Sequence, residues 1–398
     1  MHQNEIERHL AAFQRGAVDL IEPRGLHKKL ARGSPLRLKF GMDPSSPDLH
    51  LGHAIPLLKL RDLQELGHTV VLIVGDATAM VGDPSGRNAL RPQLAHAEVE
   101  SNLATYVEQV RTVVDLDRAE IHRNTTWFDR LDFGGLLKLA GRMTVARMLE
   151  RDTFQTRMSA AEPIGIHELL YPLLQGWDSV EVRADVEFGG TDQLFNLLVG
   201  RHFQEQEGQE PQVCVTGPLI DGLDGRKMSK SYGNAVLLVD SPDEKFGKVM
   251  ALPDAVMELW FQTLTRLPKE EIAGLLAGHP REAKARLAGD IVERFHGRAA
   301  AQAARDAFDR RFRDRELPVD IEERAWAEPW PAGGLPLAIA LRELGLATST
   351  SDARRKIEQG GVRVDGERLV DPNARIPRPA QGVLLQVGKR AVVRLVPG

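Results

Sequence analysis

A single cysteine in 398 residues, Cys214, leaves this chain without an internal disulfide framework and without a cysteine-based zinc site. Flanked by Val213 and Val215, it is expected as a buried strand residue. Long apolar runs are missing too. The longest, such as Val70-Val71-Leu72-Ile73-Val74, fall well short of a bilayer span, and Met1-His2-Gln3-Asn4-Glu5 has no charged-then-apolar export signal. A cytoplasmic protein is the expectation. Neither an internal repeat nor a low-complexity tract is visible. What is present is ordinary for a soluble globular protein: 42% hydrophobic and 27% charged residues. The length exceeds what one core serves, so two or three domains are expected. Charge is nearly balanced overall, 52 basic against 56 acidic residues, but residues 335–398 carry 11 basic against 6 acidic ones. A nucleic acid is expected at that basic tail.

Leu36-Arg37-Leu38-Lys39-Phe40 reads as a short strand ending at Gly41, and Met42-Asp43-Pro44-Ser45-Ser46-Pro47 has turn chemistry. Helical spacing follows in Ile55, Leu58, Leu63 and Leu66 until Gly67, and Val70 to Val74 is a buried strand ending at Gly75. This is a βαβ unit, which builds a parallel sheet and binds ligands beyond the carboxyl ends of its strands. Residues 41–52 and 75–86 fall there. Residues 96–180 read as mainly helical, with an apolar stripe of Met143, Ala146, Met148 and Leu149. Val186-Glu187-Phe188 is a strand candidate feeding Gly189-Gly190-Thr191-Asp192, a tight turn and helix cap. Val213 to Val215 is another strand. Residues 242–318 suit a helical domain, and the two prolines and two glycines between Trp326 and Gly334 mark a linker.

Two segments carry chemistry. His50 and His53 lie three apart at a helix start, where unpaired backbone N–H groups and the helix dipole attract phosphate, and Gly52 between them permits close approach. Far along the chain, Lys227 and Lys230 alternate with Ser229 and Ser231 between Gly225 and Gly233, so two ammonium groups sit on a loop hinged by glycines. Either segment by itself is explained equally by a histidine-capped structural helix or a solvated basic turn. As a pair, Asp-Leu-His-Leu-Gly-His at 48–53 and Lys-Met-Ser-Lys-Ser at 227–231 resemble the double signature of class I aminoacyl-tRNA synthetases.

Three further segments narrow the resemblance: Gly82-Asp83-Pro84-Ser85-Gly86-Arg87, Tyr171-Pro172-Leu173-Leu174-Gln175-Gly176-Trp177-Asp178 and Gly189-Gly190-Thr191-Asp192-Gln193. They are similar, in order and spacing over essentially the whole chain, to bacterial tyrosyl-tRNA synthetases of the subgroup with a Lys-Met-Ser-Lys-Ser loop. The resemblance implies that Tyr171, Asp83 and Gln175 hold the tyrosine ammonium, that Asp178 accepts from the phenol, and that Gln193 faces the carboxylate side. It places Thr78 where the tyrosine site borders the ATP and ribose region, with Asp43, Gly52 and Asp192 on the ATP side. Lys39, which the resemblance counts with Thr78 among the tyrosine-binding residues, stands where some members place a phenol-touching tyrosine, and Trp177 where a tyrosine is usual. His50, His53, Lys227 and Lys230 would stabilise charge on the α-phosphate, with Mg²⁺ as a phosphate partner. Spacings of four and three put Tyr171, Gln175 and Asp178 on one helix face, which also suits a plain amphipathic helix.

The tail resembles the small RNA-binding domain shared by a ribosomal small-subunit protein and some pseudouridine synthases. Ser351 would cap a helix bearing Arg354, Arg355 and Lys356 for phosphate contact, and Asp365-Gly366 is a hairpin-turn signal. A merely solvated charged helix is the other reading. The expected fold is α/β: a Rossmann-like parallel-sheet catalytic domain over residues 1–232, a helical domain over 233–325, a linker at 326–334 and a small α+β RNA-binding domain over 335–398. The implied partners are L-tyrosine, ATP and tRNA, with homodimerisation carried from the family. Tryptophan activation, or a catalytically idle RNA-binding relative, are the alternatives.

Overall fold

The computed structural model describes residues 2–44, 48–85, 96–229, 232–313, 321–326, 329–388 and 391–397. Its contacts divide the chain into two compact units, Met1–Arg305 and Asp306–Gly398.

The first unit is built on a six-stranded sheet of order β1-β6-β5-β2-β3-β4. Its strands are β1 (Asp19–Ile21), β2 (Arg37–Met42), β3 (Thr69–Val74), β4 (Ala119–Arg123), β5 (Val186–Gly190) and β6 (Val213–Gly217). β2 pairs parallel with β3 and β5, and the parallel pairing continues through β3–β4 and β5–β6. β1 runs antiparallel to β6 at one edge, which makes the sheet mixed while β6-β5-β2-β3-β4 form the expected parallel sheet. The chain runs outward from β2 to β4 and returns to lay β5 on the other side of β2. That reversal opens a crevice beyond the carboxyl ends of β2 and β5, where open α/β sheets bind ligands.

The βαβ unit stands as expected. The helix Leu51–Glu65 joins β2 to β3, buries Leu51, Leu57, Leu58, Leu60 and Leu63, and stops before Gly67, whose φ of +94° suits only glycine comfortably. Val70 to Val74 are buried on both faces, as a central parallel strand requires. Cys214 is buried in β6. β4, Ala-Glu-Ile-His-Arg, interrupts a stretch read as helical; an edge strand with one covered face lacks the continuous apolar run that betrays β3. The helices Pro242–Met250, Met257–Leu264, Lys269–Ala277 and Pro280–His296 follow the lysine loop within this unit, the first opened by a Ser241/Glu244 capping box.

The second unit has the five-stranded sheet β10-β9-β12-β13-β7 and a short β8–β11 pair. These are β7 (Glu323–Trp326), β8 (Leu335–Pro336), β9 (Val362–Val364), β10 (Glu367–Leu369), β11 (Arg375–Ile376), β12 (Val383–Val387) and β13 (Ala391–Pro397), with helices Leu337–Glu343 and Thr350–Glu358. Asp365 and Gly366, with φ of +49° and +86°, make the turn between β9 and β10. Two expectations are corrected here. Residues 323–326 belong to this sheet, paired parallel with β13, and Trp326 and Trp330 pack into its core. The Pro/Gly signal read as a linker is therefore anchored by the two tryptophans within it. The helix carrying Arg354, Arg355 and Lys356 is capped by Ser349, whose side chain accepts from Asp352 N, and not by Ser351. Among the described residues, no helix is long and apolar enough to cross a membrane.

Candidate active site

At the end of β2, Asp43 is gripped from two sides. Tyr171 Oη donates to its Oδ2 at 2.8 Å and Thr78 Oγ1 to its Oδ1 at 2.7 Å. Gly75 makes this junction possible, because a Cβ there would run into both Asp43 Oδ1 and Thr78 Oγ1.

His50 is the cap of the following helix. Its Nδ1 accepts from Gly52 N at 3.1 Å, and His53 Nδ1 accepts from His50 N at 3.3 Å. The rings stack with centroids 3.9 Å apart. Burial pushes His50 down to about 4 and His53 to about 3, with Lys227 adding to both. Both imidazoles are consequently neutral at physiological pH. Because each Nδ1 accepts from a backbone N–H, each ring carries its proton on Nε2, leaving a donor for a phosphate oxygen.

The lysine loop is tied to this helix start. Leu51 N donates to Val236 O and Leu238 N to Leu49 O, both at 2.9 Å, so residues just beyond the loop zip onto the histidine segment. Asn234 organises the loop, accepting from Ser229 N at 2.8 Å and donating to Asp224 Oδ1 at 2.7 Å. Met228 is buried, which anchors the loop between its lysines. Lys227 disfavours protonation of His50 and His53, and also lowers Asp192, which burial otherwise raises. Three distant segments thus share one electrostatic field. Lys230 and Ser231 lie outside the described residues.

The helix Tyr171–Glu181 lines the other side with Tyr171, Gln175 and Asp178. Asp83 accepts from Ser85 and, at 2.8 Å, from Gln193 Nε2. From there a hydrogen-bond chain runs through Gln193 Oε1, Asn196 Nδ2, Gln175 and Glu187 to Lys39. Lys39 is fully buried and donates to Gln175 O, Ser179 Oγ and Glu187 Oε1. Its three donors are spent on the protein, so it fixes the helix that bears Gln175 and Asp178 instead of reaching a phenol itself. Asp178 accepts from Trp127 Nε1 at 2.9 Å and Asn124 Nδ2 at 3.4 Å. Burial pushes its carboxyl up to about 7 against the opposing pull of Lys39 and these donors. Trp177 points away, donating to Glu181 and lying under Arg142.

Residues 31–313 match the family described as tRNA synthetases class I (W and Y), and residues 335–378 match the S4 domain. The chain is 46% identical to the tyrosine–tRNA ligase of Moorella thermoacetica, across 99% of this chain and 97% of that protein. With the tyrosine–tRNA ligase of Aromatoleum aromaticum the identity is 48% across 98% and 99%. The chain belongs to the tyrosyl-tRNA synthetase family. A C-terminally truncated mitochondrial tyrosyl-tRNA synthetase from Aspergillus nidulans shares the fold, with a TM-score of 0.65 at 24% identity over 78% of this chain and 95% of that one.

Within this tyrosyl-tRNA synthetase frame, several pocket residues escaped the sequence reading. Trp127 and Asn124 follow the unrecognised edge strand β4, so nothing marked them as lying beyond a strand's carboxyl end. Glu187 left a visible signal, since it is an acid between Val186 and Phe188 that pairs in register with Lys39 between Leu38 and Phe40. Two opposite charges in adjacent apolar strands call for each other.

Proposed function

We propose that this chain is a tyrosine–tRNA ligase whose two half-reactions take place in the crevice beyond β2 and β5. Tyrosine enters with its ammonium at Asp83, Tyr171 and Gln175, where one carboxylate and neutral acceptors match three N–H donors. Its phenol reaches Asp178. One carboxylate oxygen attacks the α-phosphorus of ATP, the bond to the bridging oxygen breaks, and pyrophosphate leaves with that electron pair. The terminal ribose hydroxyl of tRNA then attacks the adenylate carbonyl, losing its proton, and AMP departs. Neither step attaches the substrate to a side chain.

Catalysis comes from positioning and charge stabilisation. The Nε2–H groups of His50 and His53 and the ammonium groups of Lys227 and Lys230 meet the phosphates, while Asp43, Gly52, Thr78 and Asp192 border the nucleotide. Mg²⁺ comes with ATP as part of that substrate. Arg354, Arg355 and Lys356 in the tail supply tRNA phosphate contacts. The chain works as a homodimer, a reading supported by the large apolar side chains exposed over residues 133–166: Phe133, Leu137, Val145, Met158 and Ile166.

Asp178, a buried carboxylate that accepts from Trp127 and Asn124, supports a substrate with a polar ring end over phenylalanine. Without a hydroxyl opposite it, that carboxylate keeps Trp127 and Asn124 but lacks a further donor, which phenylalanine cannot supply. The observation that carries tyrosine over tryptophan is the 46–48% identity to tyrosine–tRNA ligases over nearly the whole chain. ATP–pyrophosphate exchange is the test. It should depend on tyrosine and respond far less to tryptophan or phenylalanine; exchange driven equally by tryptophan would refute the assignment.

A further inference from the structure

One charge beside the tyrosine site is unused by the roles given above. Arg151 precedes the helix Asp152–Ser159, is only 3% exposed, and has no hydrogen-bond partner for either Nη1 or Nη2 among the described residues. Its guanidinium lies 5.5 Å from the Phe154 ring centroid. The nearest carboxylate is Asp83, whose Oδ1 stands 3.5 Å from Nη2, at ion-pair distance and beyond a good hydrogen bond. Asp83 is already committed to Ser85 and Gln193. Tyr171 and Asp192 are the other titratable groups that face Arg151.

A buried guanidinium with orphaned N–H groups is costly, and such a group in a native site calls for a partner supplied from outside. The chemistry of that partner follows from its neighbour. Asp83 is the anion assigned to the tyrosine ammonium, and in an amino acid the carboxylate is carried on the same carbon as the ammonium. With the ammonium at Asp83, whose Oδ1 is 3.5 Å from Arg151 Nη2, the carboxylate on the neighbouring carbon comes within reach of the guanidinium when the substrate turns that end toward it. We propose that Arg151 binds the α-carboxylate of the amino acid, so that Asp83 and Arg151 form a clamp for the zwitterion.

This rests on the assignment of Asp83 to the ammonium and goes beyond it by giving the substrate's negative end a charged partner beside the neutral Gln193, whose amide is already spent on Asp83 and Ser85. The planar fork of the guanidinium suits a carboxylate, and holding it fixes which oxygen is left to attack phosphorus. Arg151 keeps its proton throughout. Because the carboxylate charge is consumed when the mixed anhydride forms, the contact is strongest before the reaction. Its loss therefore raises the tyrosine dissociation constant more than it lowers the rate at saturation.

The test compares equilibrium binding of tyrosine with that of tyramine, which keeps the phenol and ammonium but has no carboxylate. In the unaltered protein, tyrosine should bind more tightly than tyramine. Arg151→Met should weaken tyrosine about tenfold or more while tyramine changes by less than about twofold, a loss in the range of a charge-assisted hydrogen bond. Arg151→Lys, which keeps the charge and loses the fork, should fall between. Parallel loss of both ligands would show that Arg151 acts only through Asp83 and would overturn the proposal, as would unchanged tyrosine binding. If Arg151→Met does not fold, Arg151→Lys carries the same comparison, and tyramine binding the unaltered protein as tightly as tyrosine overturns the idea without any variant. Failure of the unaltered protein to bind either ligand would instead refute the tyrosine site itself.

Discussion

Replacing Asp178 by asparagine is expected to make the free protein more stable at alkaline pH and a poorer binder of tyrosine. The carboxyl is 3% exposed and burial pushes it up to about 7, whereas in the unfolded chain it should titrate near an ordinary aspartate value of about 3.9. A folded-state value above the unfolded one means that the folded chain holds the proton more tightly. The stability from this group is thus fully present below about pH 4 and is lost as pH rises through about 7. At about 1.4 kcal/mol per pH unit of difference, the wild-type chain should lose roughly 2–3 kcal/mol from this site between pH 5 and pH 8. Asparagine has no such proton, and its carbonyl can still accept from Trp127 Nε1.

Guanidinium denaturation at pH 5 and pH 8 measures the difference directly. The stability of Asp178→Asn relative to wild type should rise by roughly 2–3 kcal/mol over that range. Tyrosine binding should move the other way, because a phenol donates more strongly to a charged acceptor, by about 1.5–3 kcal/mol for a hydrogen bond to an ion. Wild-type affinity should also weaken as pH falls below about 7, while the variant's affinity stays flat. A stability gap independent of pH, or an unchanged preference for tyrosine over phenylalanine in the variant, would refute the reasoning.

Lys227→Ala should lower the pyrophosphate-exchange rate at least about tenfold with little change in tyrosine affinity, since the lysine faces the histidines and Asp192 and not the amino acid; equal losses in both would contradict the role. Leu137→Glu places a charge on the exposed apolar helix Phe133–Ala140 and should shift sedimentation toward a monomer, and an unchanged oligomer would remove that face from the interface. Replacing Arg354, Arg355 and Lys356 together by alanine should spare pyrophosphate exchange, weaken aminoacylation and flatten the salt dependence of tRNA binding. Arg355 and Lys356 pair with Asp352 at the surface, and Lys356 also donates to Leu346 O; these exposed contacts are worth little, so the helix itself should persist. Charging at the wild-type rate with an unchanged salt slope would exclude this helix from the RNA contact.

The histidine segment was legible because local rules and tertiary context agree there. A cap, a helix period and a glycine stop fall in order between two strands, and the structure forms that βαβ unit over the same residues. The edge strands were not legible. β1 is three half-buried residues and β4 alternates too weakly to stand out from helix, because a strand at the sheet margin needs only one covered face. That blind spot had a direct consequence for the site, since Asn124 and Trp127, which hold Asp178, sit just past β4. The tail shows a different failure. Prolines and glycines around Trp326 and Trp330 announced a break in regular structure, but the bulky apolar rings decide where that segment rests.

The charges inside the apolar strands reveal more about the site than either motif does. Lys39 and Glu187 are both fully buried, and each would be prohibitive without the other. Their pairing also holds Gln175 O, Ser179 and the Gln175 side chain, so the helix that presents Tyr171, Gln175 and Asp178 is fixed at its middle by an ion pair rooted in two central strands. The proposed pocket, with a phenol acceptor at one end and an ammonium site at the other of a single helix, requires that this helix not slide along the sheet. The buried pair removes this freedom, because a shift along the sheet would leave a desolvated charge uncompensated. If tyrosine binds as proposed, Lys39 acts on its recognition without contact to the substrate, through the register of the helix that bears Gln175 and Asp178.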